Sequence, residues 1–123
     1  MKEVLLDTNF ILSCIRDNID CFEELTFMGF RILVPKEVVK ELKKIAESKK
    51  SLKFRNDAEL ALRIIKKEVP KLVSVGGKYV DSGIVNYLKE NPEIVLATMD
   101  IALKRKLDNR RVVIRGKKKL EIQ

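Results

Sequence analysis

Four acidic residues, Asp7, Glu41, Asp81 and Asp100, are the side chains on which chemistry most readily rests, because of what the rest of the chain lacks. Its 123 residues contain no histidine. That removes Ser-His-Asp triads, Cys-His pairs, HExxH zinc sites and imidazole-based ribonucleases. Ser13 and Ser51 have no base partner to activate them. Cys14 and Cys21 are two thiols where a structural zinc takes four ligands. We read them as reduced packing residues, with a disulfide between them as the alternative. Carboxylate chemistry remains. Four carboxylates gathered at one place repel one another unless a cation lies among them, and oxygen donors suit Mg2+ or Mn2+. Water activated by such an ion hydrolyses phosphodiesters. Each acid also has an ordinary reading. Aspartate is a preferred helix N-cap, and Asp7, Asp81 and Asp100 all fall where a helix begins; Glu41 reads as a surface residue, and Glu37, one turn earlier, competes for its role.

The elements that must bring these residues together follow from periodicity. Short apolar runs at 4–6, 31–34, 72–75, 94–97 and 112–114 read as strands, and 120–122 as a further edge. Helical patterns occupy 8–16, a segment from Asp20 that ends at Gly29, 35 to about 45 behind Pro35, a segment capped by Asn56 or Asp57, 80–90 and 100–107. Residues 48–55 are polar, basic and without period, so they read as a loop that can clamp a nucleic-acid strand or simply be solvated. Strand and helix in this alternation give an α/β fold whose parallel sheet is covered on both faces. In such a sheet every strand ends at the same edge, and ligands bind outside it. Asp7 directly follows the first strand, Asp100 lies just beyond the fourth, and Asp81 opens the helix entered from the third; Glu41 lies about a turn and a half into the helix behind Pro35. One rim can therefore receive all four.

The chain is 46% hydrophobic and 36% charged with few Gly and Pro, which fits one folded core and excludes low-complexity and disordered classes. No apolar run approaches the roughly 18 residues of a membrane span, and the first residues are too short and acidic for a signal peptide, so cytoplasm is the default expectation. Net charge is +8. It is concentrated: residues 104–123 hold nine basic and two acidic side chains, and 36–55 hold eight and three. Basic stripes of this kind suit a polyanion, whose counterions are released on binding. The chain has no Trp and only seven other aromatics, too few for stacking platforms to dominate.

The segments 5–9 (Leu-Leu-Asp-Thr-Asn), Pro35 with Val38, Glu41 and Leu42, Val80-Asp81-Ser82-Gly83-Ile84, and Ala97-Thr98 with Asp100, Leu103, Lys104 and Arg105 resemble, in order, the motifs of the PIN-domain nucleases. The basic ending, from Arg111 through Arg115 and Lys117 to Lys119, is most similar to the branch that processes small-subunit ribosomal RNA. The resemblance implies a three-layer α/β/α sandwich around a parallel sheet of about five strands. It makes Asp7, Glu41, Asp81 and Asp100 an acidic quartet holding one or two Mg2+ or Mn2+ ions. Asn9 and Thr98 match positions that orient ligands or water. Ser82 stands where relatives in the processing branch carry a second acid, and a hydroxyl supplies no charge, which favours one ion over two. The implied activity is endonucleolytic cleavage of single-stranded RNA by metal-activated water. Lys104 and Arg105 are expected to grip the phosphate next to the scissile one. Arg115, Lys117, Lys118 and Lys119 reach the same rim if the last central strand is parallel. A single domain over 1–123 with a basic segment 110–123 is expected, together with RNA, a second copy, an antitoxin or ribosome assembly factors as partners.

Other readings keep the same residues. One is an RNA-binding ribosome assembly factor that does not cleave; another is the toxin ribonuclease of a toxin-antitoxin pair. A phosphoacceptor signalling domain also sets acids around Mg2+, but it wants an aspartate at the end of strand three, where this chain has Ser74-Val75-Gly76-Gly77.

Overall fold

The computed structural model describes residues 2–123. Six strands form one sheet: β1 (Lys2–Leu6), β2 (Phe30–Pro35), β3 (Lys71–Val73), β4 (Val95–Ala97), β5 (Arg111–Arg115) and β6 (Lys119–Ile122). Their spatial order is β3-β2-β1-β4-β5-β6, with the first five parallel and β6 antiparallel on β5. The expected further edge at 120–122 is β6, formed because residues 116–118 turn the chain back and allow Leu120 to pair with Ile114.

Alternation along β1 explains the layering. Val4 and Leu6 face one core with Ile32, Val34, Val95, Ala97, Val112 and Ile114. Leu5 faces the other with Leu33, Val73 and Leu96. The first core is covered by α1 (Thr8–Arg16), α2 (Cys21–Phe27), α3 (Lys36–Ala46) and α4 (Leu52–Glu68). The second is covered by α5 (Val80–Glu90) and α6 (Ile101–Lys106), through Ile84, Val85, Leu88 and Leu103. A parallel sheet apolar on both faces requires this double cover, and the result is an α/β/α sandwich.

The expected loop over 48–55 is half helix. Ser51 is the N-cap of α4, its hydroxyl accepting from Phe54 N–H at 3.3 Å, and Asn56 and Asp57 lie inside the helix. Serine caps as well as Asn or Asp, and Phe54 already belongs to the apolar face that continues through Ala58, Ala61 and Ile65. β3 stops at Val73 because Ser74, Val75 and Gly76 are bound to Glu37 instead of to the sheet. Cys14 and Cys21 are free, buried thiols. A hydrogen bond between them, reinforced by burial, pushes the Cys14 thiol up.

Candidate active site

The chain runs outward from β1 to β2 and β3 on one side, then crosses back from β3 to β4, beside β1, and runs outward through β5 and β6 on the other. β1 and β4 are therefore the neighbours at which the winding reverses, and the crevice beyond their C-terminal ends is where such sheets place a ligand. Asp7 N–H closes the ladder there by donating to Ala97 O at 3.2 Å.

Asp7 is the N-cap of α1, one carboxylate oxygen accepting from Phe10 N–H at 2.7 Å. Its other oxygen accepts from the buried Thr98 hydroxyl. Burial pushes its pKa from 3.8 to about 6, against those two hydrogen bonds, and the negative charges of Asp81 and Asp100 push it further the same way. Thr98 is shared: its Oγ1 also accepts from Asp100 N–H at 3.0 Å. Asp100 caps α6, accepting from the amides of Ala102 at 2.9 Å and Leu103 at 3.3 Å.

Asp81 departs from the capping reading. The N-cap of α5 is Tyr79, and Asp81 lies in the first turn with its carboxylate free of that duty. Partial burial and the charges of Asp100 and Glu41 raise its pKa, with Lys106 opposing them. Glu41 thereby lies within electrostatic range of Asp81. Glu37 serves the neighbouring loop instead. Its carboxylate accepts from Val75 N–H at 3.1 Å, from Gly76 N–H at 3.2 Å and from the Ser74 hydroxyl at 3.2 Å, and these bonds hold its pKa below the usual range despite some desolvation. Glu37 thus fixes the segment that leads to Asp81.

Asp7, Asp81 and Asp100 lie within electrostatic range of one another, Glu41 within range of Asp81, and Thr98 joins Asp7 to Asp100. None of the four has a Lys or Arg ion-pair partner among the described residues. Among those residues no group of three or more acidic or thiol side chains is placed to hold one metal ion together. That arrangement still fits Mg2+ or Mn2+, since a hard cation keeps several waters and is commonly held by one or two carboxylates. The Thr8 hydroxyl next to Asp7 is buried without a protein partner, a further uncommitted oxygen at this edge.

The remaining expected residues divide. Asn9 is exposed on the first turn of α1. Ser82 is committed to the backbone of Tyr79, donating to its carbonyl at 2.9 Å and accepting from its N–H at 3.3 Å. β5 is parallel, so the turn carrying Lys117, Lys118 and Lys119 stands at the same edge as Asp7. Arg115 in that ribbon is bound to Glu121, through Nε at 2.9 Å and Nη2 at 2.5 Å. Arg105 is exposed; Lys104 is half-buried and its carbonyl accepts from Arg111 Nη1 at 3.3 Å. Lys106, the next residue in that basic run and itself exposed, is the one whose charge acts on Asp81. Sequence reasoning misses it because helix phase alone does not say which of three neighbouring cations acts on the acids. No helix among the described residues is long and apolar enough to cross a membrane.

Comparison with known proteins is consistent with this geometry. A family described as a PIN like domain matches residues 4–118. A protein named Ribonuclease VapC4, from Methanocaldococcus jannaschii, is 31% identical over 128 aligned positions that cover 99% of this chain and 97% of the relative. Among solved structures, the PIN domain endonuclease Utp24 superposes with a TM-score of 0.79 at 26% identity, covering 98% of this chain and 90% of that one. VapBC2 from Rickettsia felis, solved on a DNA fragment from its promoter, superposes at 0.56 with 14% identity over 92% of this chain and 99% of that one, a likeness of fold alone.

Proposed function

The chain belongs to the PIN-like domain family, and on that premise we propose that it is an endoribonuclease that uses a divalent cation to cut single-stranded RNA. The observation that carries this reading is the gathering of four carboxylates, none neutralised by a basic ion-pair partner, at the crevice between β1 and β4. The relative named a ribonuclease and the structural neighbour named an endonuclease support the same class of activity.

One or two of the carboxylates among Asp7, Asp81, Asp100 and Glu41, with water completing the shell, would hold Mg2+ or Mn2+. When bound, such an ion supplies Lewis-acid polarisation of the scissile phosphate and a more acidic water. Thr98 keeps Asp7 turned toward the crevice and ties it to the start of α6. Lys106 brings positive charge to the Asp81 side of the site, where an incoming phosphate needs it. The exposed lysines at 117–119 extend that attraction along the rim and match the basic ending that suggests a ribosomal RNA substrate. A toxin role, with an antitoxin as partner, is the second reading, favoured by the 31% identity to Ribonuclease VapC4.

The test is cleavage of an unstructured RNA oligonucleotide with Mg2+ or Mn2+ present. Loss of cleavage in excess EDTA and in Asp100→Asn is expected; cleavage that persists in EDTA overturns the proposal. Co-purification with precursor ribosomal RNA separates the processing role from the toxin role, for which a co-transcribed antitoxin gene is the mark.

A further inference from the structure

The acidic crevice continues into a groove to which the nuclease reading gives no part. Lys40, Glu41 and Lys44 of α3 form one wall, and the residues leading into α5, Lys78 and Tyr79 above all, form the other. Glu41 is common to groove and crevice. The groove measures about 180 Å³, short of the roughly 300 Å³ at which small-molecule pockets begin. Its shape suits something that passes through it.

Its charge says what. Glu37 also lines the groove, but its carboxylate is consumed by the Ser74, Val75 and Gly76 donors. Lys40, Lys44 and Lys78 form no ion pair among the described residues. Lys40 and Lys44, four apart, lie on one helix face a turn from each other. Three cations without an acidic partner on the two walls of a groove that Glu41 also lines fit a chain of phosphates.

Between them stands an aromatic ring. Tyr79 is 67% exposed, although nothing about its backbone is loose. Its N–H and carbonyl are both bound to the Ser82 hydroxyl, and its carbonyl also accepts from Gly83 N–H at 3.0 Å. The preceding Gly76 and Gly77, at φ +72° and +83°, press against Gly83, where a Cβ would lie 2.1 Å from Gly76 O. Lys78 Nζ lies over one face of the ring, 5.6 Å from its centroid, and a base would take the other face. A ring held out into water on a hydrogen-bonded backbone offers a flat face to an unpaired base, which a duplex, with its bases stacked inside, does not present.

We propose that Tyr79 is a stacking platform for a base of single-stranded RNA, whose phosphates follow Lys40, Lys44 and Lys78 toward the acidic edge. The inference rests on the nuclease reading for what happens to the strand, but binding itself requires no cleavage. Base stacking on an aromatic ring is worth about 1–3 kcal/mol, and a ten-fold change in affinity, about 1.4 kcal/mol, lies in the lower part of that range.

The test is run in EDTA with a fluorescein-labelled 12-nucleotide oligouridylate carrying one 2-aminopurine, read by anisotropy and by 2-aminopurine quenching. Tyr79→Phe is expected to bind as the parent does. Tyr79→Leu is expected to lose about ten-fold in affinity together with the quenching, at an unchanged melting temperature. Lys40→Gln with Lys44→Gln is expected to reduce the slope of log K against log salt by about 1.4, near 0.7 for each phosphate no longer neutralised. Parent-like affinity and quenching in Tyr79→Leu overturn the proposal, as does duplex RNA binding as tightly as the single strand. A parent protein that binds in this way in EDTA but never cleaves under Mg2+ or Mn2+ sinks the nuclease reading alone, and a Tyr79→Leu protein that binds and cleaves normally sinks this one alone.

Discussion

The Thr98 hydroxyl donates to Asp7 and, through the same oxygen, accepts from the amide of Asp100, so that one buried side chain ties the ends of β1 and β4 together. Thr98→Val keeps the shape and removes both bonds. It leaves the Asp100 amide and a buried carboxylate oxygen short of a partner, which costs about 1–3 kcal/mol of stability by urea denaturation. Partners that orient metal-holding carboxylates typically contribute about 10–100-fold in activity, so cleavage should fall by about that factor, and Thr98→Ser should restore most of it.

Stability should depend on pH through Asp7. Its carboxyl titrates at about 6 in the folded protein against 3.8 ordinarily, because burial disfavours its charge. Below pH 3.8 it is protonated in folded and unfolded chains alike, and no penalty exists. Between 3.8 and 6 the folded chain binds more protons, so stability falls as pH rises, reaching a loss of about 3 kcal/mol above pH 6. Asp7→Asn removes this dependence. It should melt higher than the parent at about pH 7.5 and no higher near pH 4, while losing cleavage; a lower melting temperature at the higher pH contradicts the assignment.

Asp100→Asn separates capping from chemistry. Asparagine caps a helix as well as aspartate, and the Ala102 and Leu103 amides keep an acceptor. The melting temperature should stay within a few degrees. Cleavage should drop by at least about 100-fold, since a metal-held phosphate is stabilised by several kcal/mol and each 1.36 kcal/mol is about ten-fold.

Gly83→Ala probes the floor beneath the loop. Its Cβ would meet Gly76 O at 2.1 Å and Val75 Cγ2 at 3.0 Å, and backbone must move to make room. Overpacking of this kind costs about 3 kcal/mol, measured as a lower denaturation midpoint at unchanged slope. Hydrogen exchange should quicken at the Val75 and Gly76 amides, whose bonds to Glu37 depend on the loop staying in place.

The parts of the site legible in the sequence are those written locally. A strand followed at once by Asp7, and another followed by Thr98 and Asp100, announce a helix start and a sheet edge together. The bridge between Asp7 and Thr98 spans 91 residues and exists only because β1 lies next to β4, which no local pattern states. Glu37 and Glu41 are one turn apart on α3, and spacing does not choose between them; the structure gives Glu37 to the loop and leaves Glu41 within electrostatic range of Asp81. Ser82 reads as a missing acid in a motif comparison, whereas its hydroxyl is occupied in pinning Tyr79. The start of α4 differs from expectation because Ser51, Asn56 and Asp57 are all good capping residues, and only the packing of Phe54 settles which one serves.

The two borders of the sheet are finished unlike each other. On one side β3 offers three residues, with Lys71 and half-exposed Leu72 outermost; on the other, β6 is the return arm of a ribbon whose tip is a run of lysines. Short or charged borders give a neighbouring molecule little backbone to zip onto. Concentrated preparations should therefore resist growth into β-linked polymers, and contacts between copies are left to the outer helices.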